Sequence, residues 1–150
     1  MIGALARVPA YRLAHALGAR PLARPINVTV STTFRCNSRC LTCNVYERPV
    51  DELTLDEWDR AFQALGKAPV WFTFSGGEPF LRKDLPDIIE AAWRRCRPKV
   101  VNIPTNGTYA DRVVAGVARL APVLRGTQLV INVSLDAVGE RPQARTTLLA

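Results

Sequence analysis

The chain has no run approaching the roughly 18 apolar residues needed to cross a bilayer, and no secretory signal pattern. It has one histidine, His15, and four cysteines in 150 residues. No acidic residue appears before Glu47. Each scarcity excludes something. Four cysteines do not make a disulfide framework when three of them crowd one short loop, so a reducing, cytoplasmic setting is expected. The net charge of +7 comes mostly from arginine. The arginines are scattered and not interleaved with aromatics, which argues against a nucleic-acid surface and for a solvated basic one. With 48% hydrophobic residues, the chain suffices for one core and one domain.

What is present is concentrated at Cys36-Asn37-Ser38-Arg39-Cys40-Leu41-Thr42-Cys43. The fourth cysteine, Cys96, lies far away in a segment that reads as a helix. Closed structural metal sites and four-iron clusters normally use four protein ligands. Three cysteines leave one metal position open, as catalytic metal sites do.

Before this loop, residues 1–25 read as a basic helical leader, with a short helix from Ala10 to Leu17 and boundaries at Pro21 and Pro25. Its arginines suit a transit peptide, a peripheral membrane contact or a helix packed on the following domain. Residues 26–150 then read as one unit. Val28, Val30, Thr32 and Phe34 alternate with polar residues, as in a strand that runs into the cysteine loop. Thr54 and Glu57 form a capping box, and Leu55, Trp58, Phe62 and Leu65 give the helix after it one apolar face, with Gly66 as its stop.

The alternation continues. Val70–Phe74 is a strand ending in Ser75-Gly76-Gly77-Glu78-Pro79. Asp84 is placed to cap a helix burying Leu85, Ile88, Ile89, Ala92, Trp93 and Cys96, closed by Pro98. Val100–Ile103 is a strand ending in Pro104-Thr105-Asn106-Gly107. A third helix carries Val113, Val114, Val117 and Leu120, and stops at Pro122. Leu129–Leu135 is a fourth strand, ending in Ser134-Leu135-Asp136. Strand and helix in strict turn predict parallel strands with right-handed crossovers.

The cysteine loop, the glycine pair, Thr105-Asn106-Gly107 and Ser134-Leu135-Asp136 therefore each follow the carboxyl end of a strand. In parallel α/β barrels those ends share the face on which active sites are built. Gly76 and Gly77 allow the backbone to approach a ligand closely, and Glu78 offers an acceptor for an ammonium group. Taken singly, the glycines, Asn106 and Asp136 are also ordinary turn residues, and Ser134 an ordinary small packing residue.

These residues resemble the radical S-adenosylmethionine (radical SAM) enzymes. Cys36-x3-Cys40-x2-Cys43 matches their cluster motif, and Gly76-Gly77-Glu78-Pro79 matches the motif after their second strand. Thr105-Asn106-Gly107 and Ser134-Leu135-Asp136 are similar to segments after their third strand and in their fourth. The resemblance spans about residues 26–139. It implies a partial (β/α) TIM-like barrel, with about four of six β/α units present. It further implies a [4Fe–4S] cluster on Cys36, Cys40 and Cys43, whose fourth iron is chelated by S-adenosyl-L-methionine. Gly76, Gly77, Glu78 and Pro79 would orient the amino group of that cofactor, and Asn106, Ser134 and Asp136 would contact its ribose or methionine part. Reductive cleavage to a 5′-deoxyadenosyl radical, hydrogen abstraction from an unknown substrate, and an electron donor such as a flavodoxin or ferredoxin follow from the same resemblance.

The chain departs from the family at two places. Thr42 stands where an aromatic residue usually precedes the third cysteine. After Asp136 the sequence runs Ala137-Val138-Gly139-Glu140-Arg141-Pro142-Gln143, where the family commonly has a glycine, a His-Asp pair and an Arg-Gly pair. With this many units absent, truncation at the C-terminus is expected. Two alternatives follow: a fragment that keeps the cluster residues without turning over, and a structural zinc domain completed by Cys96 or His15.

Overall fold

The structure is a computed structural model that describes residues 7–18, 25–40, 43–49 and 51–134, and a strand at 146–148. The sheet consists of β1 (Asn27–Thr33), β3 (Trp71–Gly76), β4 (Val100–Thr105) and β5 (Gln128–Val133) in that spatial order, all pairs parallel. Helices α2 (Leu55–Leu65), α3 (Leu85–Cys96) and α4 (Ala110–Leu120) connect successive strands. This is the α/β architecture expected from the alternation. A second, two-stranded ribbon was not foreseen. In it β2 (Ser38–Cys40), inside the cysteine loop, runs antiparallel to β6 (Thr146–Leu148).

The core forms where α2 and α3 meet the sheet. Phe62 of α2 packs edge-on against Phe72 and Phe74 of β3 and stacks with Trp58. Leu85, Ile88, Ile89, Ala91, Ala92 and Cys96 bury one face of α3. Burial of so much apolar area is what holds the layers together. Thr54 and Glu57 cap α2 reciprocally, as predicted, and Gly66 takes the positive-φ position that ends it.

Three expectations change. Asp84 is the residue before α3, yet its side chain makes no capping bond; it pairs with Arg82 instead. Trp93 is only half-buried, under the Arg97 guanidinium at 3.7 Å from the ring centroid. Val114 is 67% exposed, because α4 turns Gly116 and Leu120 inward, and Gly116 lets the Phe80 ring lie against the helix. The leading helix α1 (Val8–Ala16) buries none of its residues and touches the domain through Arg7, whose guanidinium donates to Ala68 O at 3.0 Å. Among the described residues no helix is long and apolar enough to cross a membrane.

Candidate functional site: a cysteine loop seated on the strand ends

β1 delivers the chain to the cysteine loop, and the loop is held from both sides. Thr33 accepts from the Arg35 amide and donates to Glu52. Asn37 and Ser38 are buried, and the Ser38 amide donates to Cys36 Sγ at 3.4 Å. The Cys43 amide closes a turn onto Cys40 O at 3.1 Å. Cys36 and Cys40 are half-buried and Cys43 exposed.

The three sulfurs share one field. Burial pushes the Cys36 thiol up, the Ser38 amide opposes this, and negative charge on Glu78, Cys40 and Cys43 pushes it up further. Among the described residues no three His, Cys, Asp or Glu side chains converge in a metal-holding arrangement. The loop thus gathers the cysteines as electrostatic neighbours without closing them on a point.

The glycine pair has a use the sequence did not reveal. A Cβ on Gly76, whose φ is +134°, would stand 2.0 Å from Thr33 O, and one on Gly77 would stand 2.1 Å from Arg35 O. No side chain fits there. The Gly77 amide donates to Thr33 O at 2.7 Å and the Glu78 amide to Arg35 O at 2.9 Å. The glycines therefore let the end of β3 dock on the stem of the cysteine loop.

Glu78 follows, only 2% exposed. Its carboxylate accepts from the Phe80 amide, Thr105 Oγ1 at 2.8 Å and the Asn106 amide at 2.8 Å. No arginine, lysine or histidine among the described residues forms an ion pair with it. Pro79 is buried and opens a short 3₁₀ turn to Leu81. Asn106 turns its side chain to the cysteine loop, donating to Asn37 Oδ1 at 2.8 Å and Ser38 Oγ at 2.9 Å, while its own Oδ1 accepts from the Thr108 amide. Ser134 is exposed just past β5, its amide bound to Thr105 O. Asp136 lies outside the described residues. The structure thus brings Cys36, Cys40, Cys43, Gly76, Gly77, Glu78, Pro79 and Asn106 together and leaves Ser134 at the rim.

Arg82 is the residue that sequence reasoning missed. It is buried, and its guanidinium donates to Thr32 O at 2.7 Å, Leu53 O at 2.6 Å and both oxygens of Asp84. Glu52 lies at 3.9 Å and is itself paired with Arg35. The Arg82 hydrogen bond and charge hold the Asp84 carboxyl below its usual range against partial burial. One cation thereby ties the end of β1, the lead into α2 and the lead into α3. The available signal was an arginine directly after the apolar Pro79-Phe80-Leu81, where a buried cation needs several acceptors.

The two residues proposed to complete a zinc site do not reach it. Cys96 ends α3 in the core; its thiol donates to Phe62 O, and burial pushes it up to about 11. It sits beside the start of β4, while the cysteine loop sits at the strands' other ends. His15 is exposed on α1.

The geometry can be set beside known proteins. A Fe-coproporphyrin III synthase of Methanosarcina barkeri (strain Fusaro / DSM 804) is 32% identical over 140 residues, covering 89% of this chain and 32% of that protein. A probable GTP 3′,8-cyclase of Archaeoglobus fulgidus is 43% identical over 118 residues, covering 75% of this chain and 36% of that protein. The chain therefore spans about a third of the length of these curated relatives. The crystal structure of BtrN in complex with AdoMet and 2-DOIA matches with a TM-score of 0.57 at 19% identity, over 75% of this chain and 47% of that one, and shares the fold. The sequence pattern of the Radical SAM superfamily matches residues 30–148. The chain belongs to the radical SAM superfamily.

Proposed function

We propose that this chain binds a [4Fe–4S] cluster through Cys36, Cys40 and Cys43 and holds S-adenosyl-L-methionine beside it. The observation that carries the reading is Glu78. A buried carboxylate with three hydrogen-bond donors and no counter-cation is costly unless something positive joins it. Its two oxygens still have acceptor capacity, which suits a ligand ammonium group. The donor set fits as well: three free cysteines on one short loop are the thiolate-forming ligands that iron–sulfur clusters take.

When bound, the cluster and S-adenosyl-L-methionine supply one-electron reductive cleavage and a 5′-deoxyadenosyl radical able to abstract hydrogen from a substrate. The chain's own residues do the positioning. Gly76 and Gly77 fix the loop stem on β3. Glu78 is aimed by Thr105 and by the Asn106 and Phe80 amides, and its charge draws the ammonium. Pro79 stiffens the turn that carries it. Ser134 at the rim, and Asp136 two residues on, are proposed contacts to the ribose or methionine part. Asn106 is proposed to contribute through its grip on Asn37 and Ser38. Such chemistry needs an electron donor such as a flavodoxin or ferredoxin, and the free thiols suit a reducing cytoplasm.

Anaerobic reconstitution with iron and sulfide tests the reading. The wild-type chain should turn brown, with about four irons per chain. Cys40→Ala should stay colourless, and Cys96→Ala should colour like wild type. Glu78→Gln should keep the cluster but bind S-adenosyl-L-methionine at least tenfold more weakly. Dithionite should release 5′-deoxyadenosine from the wild-type complex. A colourless wild type that binds one zinc overturns the proposal.

A further inference from the structure

Three buried side-chain nitrogens among the described residues have no acceptor: Trp58 Nε1, Trp93 Nε1 and Asn37 Nδ2. The two indoles belong to α2 and α3 in the helical layer. Asn37 is different, because it lies in the cysteine loop itself, next to Cys36, and is only 6% exposed. An unsatisfied buried donor is costly, so native proteins keep few of them without a reason.

The orientation of this amide follows from its partners. The Thr108 amide donates to Asn106 Oδ1, so the other terminal atom of Asn106 is the nitrogen. That nitrogen donates to Asn37 and to Ser38 Oγ. Asn37 must therefore present its oxygen to Asn106, and flipping it would set two donors face to face. Its own NH2 is left pointing elsewhere with both hydrogens unused. The network fixes both amides and leaves one buried donor free.

The neighbouring donor indicates what it is held for. The Ser38 amide, one residue on, already points at Cys36 Sγ. We infer that Asn37 Nδ2 donates a hydrogen bond to a sulfur of the iron–sulfur cluster, a cluster sulfide or a ligating thiolate, and so raises the cluster's reduction potential. This rests on the cluster-binding reading above. Hydrogen bonds to sulfur withdraw negative charge and favour the reduced state, one of the principal ways a protein sets such potentials. The amide is neutral, so it does this without adding a charge that burial would penalise. Asn106 is then a positioning residue that keeps the donor turned the right way.

The test uses the reconstituted chain. Asn37→Leu, close in size and uncharged, should load the same iron and sulfide as wild type but show a more negative midpoint in an EPR-monitored redox titration. Asn106→Ala, which frees the amide to turn, should shift the midpoint in the same direction by less. In wild type, pulsed ENDOR on the reduced cluster should detect an exchangeable proton that disappears in D2O and is missing in Asn37→Leu. This last measurement decides the matter even if the variant loads poorly, because the wild-type signal can be assigned by 15N-labelled asparagine. An unchanged midpoint with no asparagine coupling overturns the inference while leaving cluster binding intact. So does an unchanged midpoint with weakened S-adenosyl-L-methionine binding, which would give the donor to that cofactor's carboxylate. Failure of the wild type to take up a cluster is a separate outcome and sinks the reading beneath it.

Discussion

The two ends of the parallel sheet are built from different material. At the amino ends, backbone closes the structure almost unaided. The Val70 and Trp71 amides share Ile26 O, the Lys99 and Val100 amides share Val70 O, and the Gln128 amide takes Lys99 O. Cys96 is buried beside this end as a small apolar group. At the carboxyl ends the chain buries Thr32, Thr33, Asn37, Ser38, Glu78, Arg82 and Thr105, which among the described residues is every buried polar residue except Asn102 in the middle of β4. Burying polar groups costs free energy unless each finds a partner. Most do, but the Glu78 charge and the Asn37 amide do not. The amino end closes on self-satisfied backbone, and the carboxyl end, with its unmet polar demand, is where a ligand is expected.

The sharpest way to break this contrast is to add one methyl group at the carboxyl end. Gly76→Ala and Gly77→Ala would each drive a Cβ to about 2 Å from a β1-side carbonyl oxygen. Overpacking at both positions, with backbone strain added at the positive-φ Gly76, should cost roughly 3–5 kcal/mol, read as a large fall in the urea midpoint. Gly126→Ala is the comparison. That glycine has a positive φ but open space around it, so only the conformational penalty of roughly 1 kcal/mol applies. Equal losses at all three positions would show that the loop stem is not tightly docked.

Removing Arg82 comes next. Arg82→Ala strands the buried Thr32 O and leaves Leu53 O and the partly exposed Asp84 carboxylate without their cation, and should cost roughly 3 kcal/mol. Arg82→Lys keeps the charge but cannot span three acceptors from a planar fork, so it should recover only part of the loss. Full recovery by lysine would mean that charge alone holds the junction.

Much of this was readable in the sequence, for identifiable reasons. The helices and strands announced themselves because their apolar spacing matches the face each buries, as with Leu55, Trp58 and Phe62 on α2. The capping box at Thr54 and Glu57 is local chemistry and appears as read. Asp84 misled because a cap and an ion-pair partner look the same in one dimension, and only the fold brings Arg82 beside it. Val114 misled because the helical period allowed it into the face that Gly116 and Leu120 actually fill. The site residues were legible as types at strand ends, but their partners were not. Gly77 against Arg35 O, Asn106 against Asn37 and Arg82 against Thr32 are contacts over 42, 69 and 50 positions of sequence. No local pattern encodes them.

At the amino end a matching perturbation should matter less. Cys96→Ala removes one small buried group from the α3 face, and the rest of the core can partly close over it. A loss of about 1 kcal/mol is expected, with cluster loading unchanged. Cys36→Ala should do the reverse, losing the cluster while leaving the urea midpoint of the metal-free chain nearly unaltered.

The smallest expected effect tests whether the polar end also sets acid stability. Burial pushes the Glu52 carboxyl up, but hydrogen bonds from Thr33 and Arg35 and the charges of Arg35 and Arg82 more than offset this and leave it below its usual value. A carboxyl with a folded pKa below its unfolded one contributes stability above about pH 4.3, the unfolded value, and loses it as pH falls through the folded one. Glu52→Gln should therefore weaken the chain slightly at neutral pH, by under about 1 kcal/mol given the exposure of Arg35. It should also flatten the decline in urea midpoint below about pH 4.3, while the two proteins run parallel above about pH 6. Part of the acid dependence should survive in the variant, because Asp84, also held low by Arg82, titrates by the same rule. If Glu52→Gln leaves the acid limb as steep as before, Arg82 and Asp84 alone carry the junction, and the Thr33–Glu52 contact adds nothing to how the cysteine loop is seated.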